Sequence, residues 1–240
     1  MMGIYIGIQI FVIGLFFLLG WAVRYKKQYG ILSGFNGRSE EEQKQLIENG
    51  FPQKTGSLLI WTALGMLILL PLVFTSFPYA IEVQYGFMII FILSGFIYLT
   101  KYELPHKRKR SYWISSVIGV AVVGLICVIM FLGYQKSDLV IKEATFAITG
   151  MYGDEWNISE IEEVELMVEM PEVTIKSNGF AMGTIAKGKF QVKNYGSSLL
   201  FIRKQPPYLY IKVKNQSIFI NGASPEETQN WYLLLSSKRP

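Results

Sequence analysis

Six glutamates, Glu160, Glu162, Glu163, Glu165, Glu169 and Glu172, crowd thirteen residues of the carboxyl-terminal half. Carboxylate oxygens at that density are what a calcium ion takes as ligands. The stretch lacks the Asp/Asn-Gly loop that would wrap such ligands around one ion, so the acids read as the solvated face of a strand. On that reading Glu162, Glu163 and Glu165 form a surface for a partner, and no metal is expected there. Lys187, Lys189 and Lys193 on a following strand are expected to pair with the acids across the sheet.

The second charged feature is the run Lys107-Arg108-Lys109-Arg110. Placed beside a membrane span, it reads as a topogenic anchor and as a contact for anionic lipid headgroups, worth about 1 kcal/mol per basic residue. His106 is the only histidine, so neither a histidine metal cluster nor a histidine-dependent triad can be assembled. Cys127, the one cysteine, lies within an apolar run and reads as packing. Gly34-Phe35-Asn36-Gly37 has neither the spacing nor the lysine of a phosphate-binding loop. No catalytic residue, cofactor or metal is therefore predicted. A membrane enzyme would need a nucleophile–base pair or a carboxylate dyad, and the sequence offers only scattered serines and acids.

What must position these residues is a chain of two characters. Of its 240 residues 51% are hydrophobic, and mean hydropathy is +0.30. Four uncharged apolar runs, Gly3–Val23, Ser57–Phe77, Gln84–Thr100 and Trp113–Tyr134, dominate the first part. A bilayer core takes roughly 20 apolar residues at helical rise, so each run is predicted to span. Met1-Met2 gives the first run no basic n-region, and the run exceeds a signal h-region of about 7–15 residues, which favours a span over a cleaved leader. Pro71 should kink the second span. Gly3-x-x-x-Gly7 is a small-residue pattern for close helix approach. No ionisable residue falls in the middle of a run, which disfavours a secondary transporter.

Charge fixes the orientation. The loop Arg24–Gly56 holds six basic residues and Lys101–Tyr112 holds five, whereas Pro78–Val83 holds none. Basic loops stay cytoplasmic, so both chain ends are expected outside. The third run, short and opening on Gln84, is the weak point of that topology. Residues 1–133 carry 11 Lys and Arg against six Asp and Glu, and residues 134–240 carry 12 of each. The second part thus has no basic excess with which to release nucleic-acid counterions.

In the first loop, Ser39 and Glu42 have the spacing of a capping box for a short helix to Asn49, ending at Gly50. Its only apolar pair, Leu46-Ile47, suggests that it lies on the membrane surface. With Gly34, Phe35, Asn36, Ser39, Glu41, Glu42, Lys44 and Gly56, the loop resembles that of a family of small bacterial membrane proteins of unknown function. The resemblance covers about residues 3–100 and implies no particular activity.

From Ser137 the period changes to short β-rich runs, among them Leu139–Ile141, Thr145–Ile148, Val164–Val168, Gly188–Val192 and Tyr208–Ile211. Turn signals separate them at Gly150–Gly153, Ser177–Gly179, Asn194–Gly196, Pro206-Pro207 and Asn221-Gly222. About seven strands of a small sandwich or barrel are expected. Ser224-Pro225-Glu226-Glu227 then opens a final helix, with Trp231, Leu233, Leu234 and Leu235 as its apolar face and Lys238 and Arg239 at its end.

That layout, with Tyr152-Gly153, Ile158, Ile161, Met170-Pro171, Asn178-Gly179, Gly188, Phe190, Pro206-Pro207, Ile220-Asn221, Thr228 and Tyr232, resembles the bacterial pleckstrin-homology-like domain over about residues 139–237. The resemblance implies a binding or assembly module, without implying phosphoinositide binding. The predicted organisation is a four-span membrane domain (1–133, with loops 24–56 and 101–112), a linker (134–138) and a β domain (139–238). The leading function is a non-enzymatic membrane protein whose β domain docks a protein, lipid headgroup or envelope partner. An accessory subunit of a transport, immunity or envelope-stress system is the alternative.

Overall fold

In the computed structural model, which describes residues 2–214 and 216–238, the apolar runs become helices α1 (Met2–Arg24), α3 (Phe51–Leu69), α4 (Ala80–Leu99) and α5 (Pro105–Tyr134). All four are long and apolar enough to cross a membrane. Between α1 and α3 lies the short helix α2 (Glu40–Glu48). The helices start earlier than hydropathy alone predicts, because their polar first turns still satisfy helical geometry: α3 opens at Phe51, and α5 includes the whole basic run. The chain divides into two compact units, the first ending at Ile126 and the second beginning at Cys127.

Within the first unit α1 and α3 run side by side, and α3 packs on α4. The α1–α3 contact is closest at Gly20 and Gly56, where a Cβ on either would lie 2.7–2.8 Å from the other's carbonyl oxygen. Gly3 and Gly7, the pair expected to mediate close approach, have nothing within 4 Å of a built Cβ. Pro71 does not kink a continuous span: it falls in the 3-10 turn Leu70–Phe74 that ends α3, where its missing donor costs least. The third run forms a full helix of 20 residues, about 30 Å long. Gln84 is fully buried within it, and its Nε2 donates to the Met66 carbonyl at 2.7 Å. A polar residue is thereby accommodated inside the helix pair rather than ending the span.

Among the described residues the second unit holds nine strands. β1 (Leu139–Ile141), β2 (Thr145–Ile148) and β3 (Glu155–Asn157) form an antiparallel sheet in that order. β4 (Ile161–Met167), β5 (Val173–Met182), β6 (Ile185–Val192), β7 (Gly196–Arg203), β8 (Tyr208–Val213) and β9 (Gln216–Ile220) form a second, ordered β4-β8-β9-β7-β6-β5. Only β7 and β9 are parallel. The segment Ser177–Gly179, predicted as a turn, lies inside β5 at a bulge, and the hairpin turns instead around Gly183.

Consecutive strands β4 and β5 are the two edges of the larger sheet, joined by only Val168–Glu172. Flat, six strands would set those edges roughly 24 Å apart, whereas the connection reaches about 21 Å at most. The sheet therefore curls. Its inner face buries Phe190, Val192, Leu200, Ile202, Tyr208, Tyr210 and Phe219, with Met167 and Val173 joining from opposite edges. The other face packs Leu209, Ile211, Ile218 and Ile220 against the small sheet and α6 (Pro225–Lys238).

Helix α6 opens on half of a capping box: Glu227 N–H donates to Ser224 Oγ at 3.2 Å, while the Glu227 carboxylate reaches one residue past the cap and accepts from Ala223 N–H at 2.6 Å. It buries Thr228, Trp231 and Leu235, which recur at helical spacing. Leu233 and Leu234, expected on the apolar face, point outward and are exposed. Lys238 Nζ donates to the Lys142 carbonyl at 2.7 Å; Arg239 lies outside the described residues.

Candidate functional site

The loop motif of the first unit builds a small knot with its own core rather than a bed for nucleotide. Gly34 takes φ +74°, a left-handed turn that favours glycine. The turn drives Phe35 into a core with Leu46 and Leu104, flanked by Tyr29, Leu32 and Phe51. Asn36 sits against Gly30, with its amide nitrogen 3.0 Å from where a Cβ would stand. Helix α2 is capped as predicted, Glu42 N–H donating to Ser39 Oγ at 3.3 Å. It does not lie bare on the membrane surface: Leu46 is 1% exposed in this core, while Ile47 faces out.

Charge closes the knot. Arg38 grips Glu103 with two hydrogen bonds of 2.7 and 2.9 Å, and Leu104 N–H adds a third at 3.0 Å. Burial raises the Glu103 carboxyl, but the Arg38 and Leu104 hydrogen bonds and the Arg38 and Lys107 charges outweigh it, so it titrates below the ordinary value. Glu42 does not reach back to its cap; it accepts from Lys107 at 2.6 Å and lies 3.4 Å from His106. Of the four basic residues Lys107, Arg108, Lys109 and Arg110, the first is thus committed to Glu42, and Arg108 donates to the Glu103 carbonyl at 3.3 Å. Lys109 and Arg110 are exposed. Residues of both basic loops meet here, so the two loops lie at the same end of the helices.

A second feature of this unit escaped sequence reasoning. Arg24, Lys54, Ser57, Trp61, Ser94 and Tyr98, with Leu58 and Phe91, line a cleft of about 500 Å³ between the ends of α1, α3 and α4. No linear pattern joins three helices, so only the packing reveals it.

In the β domain the acidic cluster is spread out. Glu160 pairs with Lys214 at 2.7 Å, Glu162 with Lys212 at 3.2 Å, and Glu172 with Lys193 at 3.4 Å. Only the Lys193 pair was of the expected kind, since β4 neighbours β8 and not β6. Glu162 is the extra residue of a bulge between Ile161 and Glu163. Among the described residues no group of acids, histidines or cysteines is arranged to hold a metal. Glu163 and Glu165 are exposed on β4, near Tyr195. Burial first, then the Glu165 charge, Tyr210 and Glu163, raise the Tyr195 hydroxyl above its ordinary value.

Lys187, expected to face the acids, is instead 3% exposed and donates to the Gln135 carbonyl. Burial and the Arg203 charge lower its pKa against the opposing pull of Asp138. The cleft beside it holds about 20 Å³, room for about one water.

Two family matches cover most of the chain. Residues 10–103 match a domain of unknown function, DUF3784, and residues 137–234 match a bacterial PH domain. Both resemblances drawn from the loop and from the strand pattern hold. No curated protein and no solved structure matches the chain.

Proposed function

Because the chain carries an amino-terminal DUF3784 domain and a carboxyl-terminal bacterial PH domain, we propose that it is a non-enzymatic multi-pass membrane protein whose PH domain is a binding or assembly module. The partner is a protein or envelope component, and the partner surface is the β4 edge, with Glu162, Glu163 and Glu165. The observation that carries this reading is the strand order. Among the described residues β4 is hydrogen-bonded to β8 on one side and to no strand on the other. A free edge of that kind is where an extended partner segment adds a strand, and the acids select a basic one. Neither matched family is an enzyme family. Lys109 and Arg110 supply the anionic-lipid contact first read from the whole basic run, and the PH domain lies on the extracytoplasmic side.

Site-specific photocrosslinking in cells tests the surface. A crosslinking residue at Glu163 or Glu165 is expected to give an adduct of one discrete mass, and one at exposed Glu143 none. Adducts at Glu143 alone, or none at any position, would dismiss the β4 surface.

A further inference from the structure

We infer that the cleft between α1, α3 and α4 is a binding site for one anionic phospholipid, with the headgroup phosphate on Arg24 and Lys54. The cleft is graded along its length. Arg24 and Lys54 stand at its mouth, both exposed, and neither is ion-paired among the described residues. The Arg24 guanidinium donates to Ser57 Oγ and stands 5.4 Å from the Tyr25 ring centre; Lys54 Nζ stands 5.7 Å from that of Tyr102. A guanidinium has five donors and an ammonium three, so both keep donors for a phosphate. From Lys54 to Trp61 the helix advances about 10 Å, and over that depth the lining turns to Leu58, Trp61 and Phe91, with the Ser94 hydroxyl turned back onto the Ile90 carbonyl at 2.7 Å.

This gradient excludes the other occupants in turn. A soluble anion would satisfy the two cations but leave the apolar depth uncovered. A neutral lipid would fill the depth and leave the two exposed cations to water alone. An anionic phospholipid meets both ends, and a volume near 500 Å³ suits a headgroup with the first part of a chain. The basic run offers no comparable site, because Lys107 and Arg108 already serve Glu42 and Glu103.

The test uses the full chain in neutral-detergent mixed micelles, with brominated phosphatidylglycerol or brominated phosphatidylcholine as quencher. Subtracting the fluorescence of W61F isolates Trp61. Half-quenching by the anionic lipid is expected at a mole fraction on the order of tenfold lower than by the zwitterionic one. The preference should vanish in R24Q/K54Q and persist in K27Q/K44Q, which removes two exposed lysines outside the cleft. Equal quenching by both lipids in the unaltered protein overturns the proposal without recourse to any charge variant. So does a preference that survives R24Q/K54Q, one that disappears in K27Q/K44Q, or relief of quenching by inorganic phosphate at constant ionic strength.

Discussion

Arg38 and Glu103 are 65 residues apart in sequence, and their side chains are 22% and 5% exposed. Removing one partner of such a pair strands the other in a place that water reaches poorly. E103Q is therefore expected to cost about 2–3 kcal/mol, read as a lowered thermal midpoint of the purified protein, with R38Q similar and the double variant less than additive. Because the folded Glu103 pKa lies below its ordinary 4.5, the stabilisation is complete above that value and is lost as pH falls through the folded one. The midpoint contribution of this pair should be flat between about pH 6 and 8, fall in acid, and lose that acid step in E103Q. None of this was legible locally. Lys107 and Arg108 read as a lipid-facing run because the sequence around them is uniformly basic, and their acceptors, Glu42 and the Glu103 carbonyl, are set by tertiary contact. The Phe35 turn was legible as a turn, but not that it seeds a core.

At the level of elements, the spans were legible because bilayer thickness imposes a length that few other structures need. Their contacts were not. A glycine pair such as Gly3 and Gly7 matches the spacing for close approach, yet nothing packs there, whereas Gly20 and Gly56 touch across α1 and α3 without any shared motif. G56L should force two backbones apart and cost on the order of 3 kcal/mol, visible as loss of the folded, monodisperse form on detergent chromatography. G7L should leave that form intact; equal damage from both would remove the distinction. The β runs were legible from alternation, while β3, only three residues long, fell below any pattern. Asn178-Gly179 carried the chemistry of a turn but lies opposite Lys189 and Gly188 in the ladder, where the register shift absorbs it.

For the whole molecule, the contact of the two basic loops has a parity. If Arg38 and Glu103 lie at one end of the helices, the chain between them crosses the bilayer an even number of times, so α3 and α4 cross together or not at all, and their length and apolarity make both spans. Reporter fusions within Glu40–Glu48 and after Lys238 are expected to read inside and outside respectively, by the positive-inside bias; a reporter reading inside at both positions would refute the orientation. The composition alone conveyed a membrane part and a β part, since each obeys its own period. It did not convey that the sheet curls, because that follows from which strands end up at the edges. The pairing of Arg38 with Glu103 also has an order in time. While the ribosome is still making α3 and α4, Glu103 does not yet exist, so the knot closes only after both helices have been made. A hairpin in which only one of the two helices crossed would strand Arg38 and Glu103 on opposite sides of the bilayer, and membrane quality control would meet two unmatched charges in place of a closed loop.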